Sequence, residues 1–254
     1  MNDKTHPNAK ELSRRNAIKI LAGTAIATTS ARPLWALSND KEPNMSQAAF
    51  VYTELQISVP FQDAPWQAVS DDIRQQPGFI NKTWLSGISN ASVGGFYMFD
   101  SVENAQKFVT GYFPREAANF GVAHTTRIFP AGPVQTASID LNSPHFGAAP
   151  TTKPGAFVYT ELQINVPFEN APWEDRNPVL RAQPGLIAKT WLSGLHTQTL
   201  DGLDAFDTIE NAQAFAIETF PKTASRLNAA LYTRVFDANL TEEASRYMDS
   251  PYYV

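Results

Sequence analysis

The chain reads as an α+β protein: two tandem ferredoxin-like (βαββαβ) modules that pair with each other as an intramolecular α+β barrel. Three observations predict this. The segment Ala49-Phe50-Val51-Tyr52-Thr53-Glu54-Leu55-Gln56-Ile57 returns unchanged as Ala156 to Ile164, an offset of 107 residues. Two further motifs return at the same offset, Lys82 to Gly87 as Lys189 to Gly194 and Glu103 to Gln106 as Glu210 to Gln213. Within each copy, hydrophobic periodicity switches between two-residue and helical spacing in the order β-α-β-β-α-β.

Phe50 to Val59 alternates, with Val51, Thr53, Leu55, Ile57 and Val59 on one face and Phe50, Tyr52, Glu54, Gln56 and Ser58 on the other, which predicts a first strand. Asp63-Ala64-Pro65-Trp66 predicts a helix start with Asp63 as cap, and Pro77-Gly78 its end. Strands are expected over Phe79 to Leu85 and Gly95 to Phe99. Asp100-Ser101-Val102-Glu103 reads as a capping box opening a second helix to about Tyr112. After Pro114 a short turn or helix leads to a last strand, Ala123 to Phe129. Such a module leaves one sheet face uncovered, and Tyr52, Glu54 and Gln56 on it are too apolar for ordinary surface and too polar for dry core. Packing the two sheets face to face covers both, and the space between them is the expected ligand cavity.

The expected boundaries are a signal at 1–38, a mature N-terminal segment at 39–48, modules at 49–131 and 156–238, a linker at 132–155 rich in Pro, Ala, Thr and Ser, and a tail at 239–254. The tail is read as having no counterpart between the copies, with a surface helix near Thr241 to Tyr247. At the N-terminus Ser13-Arg14-Arg15-Asn16-Ala17-Ile18-Lys19 precedes a weakly apolar run and the small-residue pattern Ala36-Leu37-Ser38, as in a twin-arginine export signal. The expected location is therefore the periplasm or another exported compartment. The apolar run is too short for a membrane span.

A net charge of −5, from 20 Lys+Arg against 25 Asp+Glu, argues against a nucleic-acid partner. The lack of cysteine removes disulfides, thiolate ligands, cysteine nucleophiles and iron–sulfur clusters. The four histidines, His6, His124, His145 and His196, are not duplicated and share no metal-ligand spacing.

Gln76-Pro77-Gly78-Phe79-Ile80-Asn81-Lys82-Thr83-Trp84, Gly94-Gly95-Phe96-Tyr97-Met98-Phe99-Asp100 and Ala105-Gln106-Lys107-Phe108 together resemble the YdhR-like monooxygenases of the dimeric α+β barrel superfamily. The second copy keeps Gln183-Pro184-Gly185-Leu186 and Lys189-Thr190-Trp191, but Asp201-Gly202-Leu203-Asp204-Ala205 replaces the Gly-Gly-aromatic strand. The resemblance implies the barrel fold and a monooxygenase-like activity. Members are typically single modules that form homodimers, so this chain looks like a fused, monomeric pseudo-dimer, with one half altered.

The candidate site residues carry alternatives. Trp84 and Trp191 share strand parity with Lys82 and Lys189, so each pair projects to one face. Inside the barrel they would hold a planar acidic aromatic such as a quinol or anthrone; otherwise the Trp packs the core and the Lys snorkels to the rim. Glu54 and Glu161 lie beside the last strands that carry Arg127 and Arg234, as structural cross-strand pairs or as substrate-facing bases. Tyr52 and Tyr159 offer a phenol to a bound carbonyl or fill the barrel. The leading expectation is a metal- and flavin-free oxidation of a small aromatic or quinone-type molecule. Glu54 or Tyr52 would act near the proton, Lys82 or Arg127 near the anion, and Trp84 as the wall. Haem, on His124 or His196 as sole axial ligand, is the minor alternative, since other α+β barrel families bind it. A non-catalytic small-molecule-binding or stress protein is the rival.

Overall fold

The alternation along the repeated nine residues becomes a strand with two buried faces. In the computed structural model, which describes residues 44–253, the first module contains β1 (Ala49–Leu55), β2 (Phe79–Ser86), β3 (Val93–Phe99) and β4 (His124–Pro130), paired antiparallel in the order β2-β3-β1-β4. The second contains β5 (Ala156–Gln163), β6 (Leu186–Ser193), β7 (Leu200–Phe206) and β8 (Ala230–Asp237), in the order β6-β7-β5-β8. This is the expected ferredoxin-like arrangement, twice. β1 stops at Leu55, short of the expected Val59, because the chain turns away and Ser58 takes a left-handed conformation (φ 52°).

Helices α1 (Trp66–Arg74), α2 (Val102–Lys107) and α3 (Phe113–Phe120) serve the first sheet, and α5 (Trp173–Arg181), α6 (Ile209–Ala214) and α7 (Phe220–Arg226) the second. The first helix starts at Trp66 with Pro65 at its cap position, while Asp63 lies in a separate short turn, Phe61–Asp63. At the second helix the cap is Ser101, whose hydroxyl accepts from Asn104 N at 3.3 Å; Asp100 instead accepts from the Asn104 side chain. The helical run does not end at Tyr112. A π turn, Phe108–Tyr112, joins α2 to α3, and Pro114 sits in the first turn of α3, where its missing N–H costs nothing. The Pro-Gly motif has a steric reason: Gly78 has φ +71°, and a Cβ there would lie 2.2 Å from Asp100 Oδ1.

The inner sheet faces meet. Phe50, Tyr52, Phe96, Met98 and Phe129 form one buried cluster with Phe157, Tyr159, Leu203, Ala205 and Phe236. Tyr52 and Tyr159 stack at its centre, ring centroids 4.0 Å apart and 3° from parallel. Ile88 N donates to Val235 O (2.9 Å) and Leu195 N to Ile128 O (2.8 Å), so the ends of β2 and β6 reach β8 and β4 and close the barrel.

The stretches expected to be linker and unrelated tail form a matched pair of clamps. Gln135–Asp140 is a helix (α4) and Ala238–Tyr247 another (α8). Trp191 N donates to Ser138 Oγ and Trp84 N to Ser245 Oγ, both at 2.9 Å; Lys189 N donates to Leu141 O and Lys82 N to Met248 O, both at 3.0 Å. Each clamp therefore covers the free edge of the other module's sheet. The repeat continues through them at the same offset, as Ala137-Ser138 with Ala244-Ser245 and Ser143-Pro144 with Ser250-Pro251. The export-signal residues 1–38 lie outside the described residues.

Candidate functional site

The expected cavity between the sheets is filled. Glu54 accepts from Tyr52 Oη (2.9 Å), Tyr232 Oη (2.7 Å) and Arg234 Nε (3.3 Å), and Glu161 from Tyr159 Oη (3.0 Å) and Arg127 Nε (3.1 Å). The Glu–Arg pairs thus run between the modules, not between neighbouring strands of one sheet as expected. Burial pushes the Glu54 carboxyl up, but hydrogen bonds from Tyr232, Ser92 and Tyr52 and the charge of Arg234 outweigh it and hold the group below its ordinary range. An ionised carboxylate with its lone pairs occupied is an interface strut and a poor proton acceptor. The Tyr52 and Tyr159 phenols are raised well above their ordinary value, by burial first and neighbouring carboxylates second.

Lys82 and Trp84 lie on the opposite, helix-covered face, away from the barrel interior. The register slips between Phe79 and Asn81, leaving Ile80 as a bulge; Lys82 then pairs with Tyr97 and Trp84 with Gly95, which puts them beside Phe79 and Phe99. The same slip at Leu186/Ala188 orients Lys189 and Trp191 alike. Room for the lysine comes from the facing glycine: a Cβ on Gly95 would lie 2.4 Å from Lys82 Cε, and one on Gly202 2.0 Å from Lys189 Nζ. That explains why the second of the two glycines persists in both copies.

Each module holds a pocket between sheet and helices with this lysine and tryptophan on its floor. In the first the pocket is about 50 Å³, lined by Leu55, Val59, Trp66, Val69, Trp84 and Tyr112 among others. Trp84 Nε1 donates to the buried Ser70 Oγ at 3.2 Å, which fixes the indole. Lys82 Nζ lies 2.8 Å from the centroid of the Trp84 ring and 4.8 Å from that of Tyr97. Lys82 does not snorkel: it is buried, it forms no ion pair among the described residues, and desolvation alone drives its amine well below the ordinary lysine range. Tyr97 Oη accepts from Thr53 Oγ1 at 3.3 Å, and the buried Tyr112 Oη has no partner among the described residues. Burial raises both phenols. Tyr97 and Tyr112 were not singled out from sequence, although Tyr97 stands in the motif that carries the resemblance and is replaced at the repeat offset by Asp204.

That replacement divides the two sites chemically. Lys189 Nζ meets Asp204 Oδ1 and Oδ2 at 2.9 and 3.1 Å, a buried ion pair, and Trp191 Nε1 donates to Asn177 Oδ1 at 2.8 Å. The second pocket is also far larger, about 550 Å³. Tyr112 and Phe120 of the first pocket correspond to Thr219 and Leu227 in the second, which removes two plugs. Of the histidines, His124 lies exposed at the start of β4 against Phe113, and His196 lines an open groove with Arg127 and Glu161; neither lines these pockets.

Residues 52–133 match the family model described as "Putative mono-oxygenase ydhR". No curated protein matches the chain. Similar solved structures include an anthrone oxidase-like protein, 14% identical, covering 75% of this chain and 91% of that one with a TM-score of 0.47. Another is a monooxygenase, described as putative, from Lactobacillus acidophilus NCFM, 7% identical, covering 75% and 93% with a TM-score of 0.42. A chlorite dismutase from Candidatus Nitrospira defluvii is 8% identical, covering 79% and 96% with a TM-score of 0.42.

Proposed function

We propose, from a first module that belongs to the ydhR mono-oxygenase family, that the protein oxidises a small aromatic or quinol-type molecule in the pocket between the first sheet and its helices. The observation that carries this reading is Lys82, a buried amine with no carboxylate partner among the described residues, held against an indole in an apolar pocket. Because burial disfavours its charged form, the amine is the group placed to take a proton from an acidic ring methylene or phenol. The substrate anion then supplies the electrons. For a ring methylene the balance closes without an outside reductant: both C–H bonds break, one oxygen atom of dioxygen becomes the ring carbonyl, and the other leaves as water with the two hydrogens. The Lys82 ammonium formed beside the anion stabilises it in a water-poor site. Trp84 is the stacking wall and Tyr97 or Tyr112 a donor to the ring oxygen. At about 50 Å³ the closed pocket has room for dioxygen or a few waters, so ring entry requires Tyr112 and Phe120 to swing outward. The π turn next to Tyr112 is a suitable place for that motion.

Neither metal nor flavin enters this chemistry, and the barrel closed within one chain favours a monomer. The twin-arginine pattern at Arg14-Arg15 supports an exported location. The test is oxygen uptake with anthrone and quinol substrates, in which Lys82→Met abolishes turnover and Lys189→Met leaves most of it. A second reading, storage of an apolar metabolite without turnover, is favoured by the size of the second pocket. Binding without oxygen uptake in the native protein selects it.

A further inference from the structure

We infer that the second module's cavity is a separate binding site for an amphipathic anion, a molecule with an apolar or aromatic body and one carboxylate, sulfonate or phosphate head. The body of the site is apolar: Leu162, Val166, Trp173, Leu200, Phe215 and Phe220 wall a space of about 550 Å³, enough for a ligand of drug-like size. The head is specified by the mouth, between α5 and α7, where Arg176, Lys222 and Arg226 line the opening. None of the three forms an ion pair among the described residues. Arg176 is half-buried and held toward the opening by a hydrogen bond from its Nη2 to Thr223 Oγ1 at 3.3 Å. Glu174, Asp175 and Glu218 lie on the same helical elements but do not line the cavity; the carboxylate that does, Asp201, is buried on the sheet and accepts from Thr199 Oγ1 at 2.7 Å.

The repeat supplies an internal control. At the offset of 107 residues, Arg176 stands where the first module has Val69, Thr223 where it has Glu116, Arg226 where it has Asn119, and Val179 where it has Asp72. Lys222 alone keeps its charge, opposite Arg115. Two acids have left the mouth and two cations have entered it, while Thr219 in place of Tyr112 and Leu227 in place of Phe120 have opened the space behind. At the opening four changes of charge run in one direction and two changes of volume accompany them, which favours an anionic head at the mouth of an apolar body; the counter-change, Gly94 to Asp201, lies buried away from the mouth. On the floor, Lys189 is already neutralised by Asp204 at 2.9 Å, so the head belongs at the mouth and the body inside.

This site does not depend on catalysis in the first module, and its test uses binding alone. The probes are anilinonaphthalene sulfonate and its uncharged analogue N-phenylnaphthylamine, titrated into the full-length protein with fluorescence transfer from Trp173 and Trp191 as the readout. The native protein is expected to bind one sulfonate probe and to prefer it to the neutral analogue. Lys222→Glu/Arg226→Glu, both exposed positions, should weaken the sulfonate at least about tenfold and leave the neutral probe within about twofold. Thr219→Tyr/Leu227→Phe, which restores the first module's plugs, should abolish binding of both, with the thermal midpoint confirming that it folds. An unchanged preference in the charge-reversed protein would overturn the anion assignment whether or not the plugged variant folds. Persistence of both probes in a folded plugged variant would overturn the site itself.

Discussion

Lys82 and Lys189 share a strand position and a tryptophan neighbour, yet only Lys189 has a carboxylate partner among the described residues. Lys82 has lost its water and gained only two aromatic rings, so its uncharged form is favoured. Because its folded pKa lies below the unfolded value, the unfolded chain binds more protons between the two, and stability rises with pH across that window. Lys82→Met should therefore raise the thermal midpoint at neutral pH while abolishing oxygen uptake. A lowered midpoint would show that Lys82 is held by a charge partner. Lys189→Met has the opposite sign: it leaves Asp204 buried without its cation and should cost about 3 kcal/mol in chemical denaturation. His145 is a third buried group, with both ring nitrogens unpartnered among the described residues and Phe50, Phe96 and Tyr252 around it; burial pushes its pKa down to about 3. Between that value and about 6.5 the unfolded chain carries one more proton, so stability falls as pH drops through the window, by at most about 1.4 kcal/mol per pH unit. Above the window there is no effect, and His145→Phe should flatten the profile. The lysine–tryptophan pairing was legible at strand spacing, but its face was not, since a one-residue bulge at Ile80 reverses parity and leaves no compositional mark. Glu54 and Arg127 were legible as members of Glu–Arg pairs; that their partners belong to the other module follows only from how the sheets meet.

At the scale of elements, the two clamps decide how the edges of the sheets are protected. Residues 132–155 contain little apolar periodicity, and a short helix needs little: α4 buries only Ala137 and Ser138, and its hold on β6 is made by backbone and hydroxyl hydrogen bonds. The repeated Ala-Ser and Ser-Pro dipeptides were the available signal, but they are short and the residues between them have diverged. The strands and main helices were read correctly in kind because alternation and Pro-Gly punctuation are strong over seven or eight residues. Strand ends and caps depend on single backbone conformations and were displaced by a few residues. Ser245→Ala removes the acceptor of Trp84 N and should cost about 1 kcal/mol, with hydrogen exchange rising along β2. Ser138→Ala should act on β6. Exchange confined to α8 itself would show that it is an appendage and not a clamp.

At the scale of the whole molecule, the pairing is reciprocal: each module ends in the helix that covers the other's edge strand, and the inner faces bury tyrosine on tyrosine. A first module expressed alone, residues 44–146, carries a clamp with no partner sheet and an uncovered face bearing Phe50, Tyr52 and Phe129. It should self-associate to a dimer in light scattering, and a stable monomer would contradict the interdependence. Fusion has also released the halves from identity. A homodimer must use one sequence twice, whereas here one copy keeps a small pocket over a buried lysine with no carboxylate partner among the described residues and the other a large pocket whose lysine is paired with Asp204. Whether Lys82 is the working base is decided by oxygen consumption of the native protein, Lys82→Met and Lys189→Met on anthrone and a quinol series, with the oxidised product quantified alongside. Turnover is expected in the native protein, with its loss in Lys82→Met and its survival in Lys189→Met. Turnover that survives Lys82→Met, or that depends on Lys189, would refute the assignment.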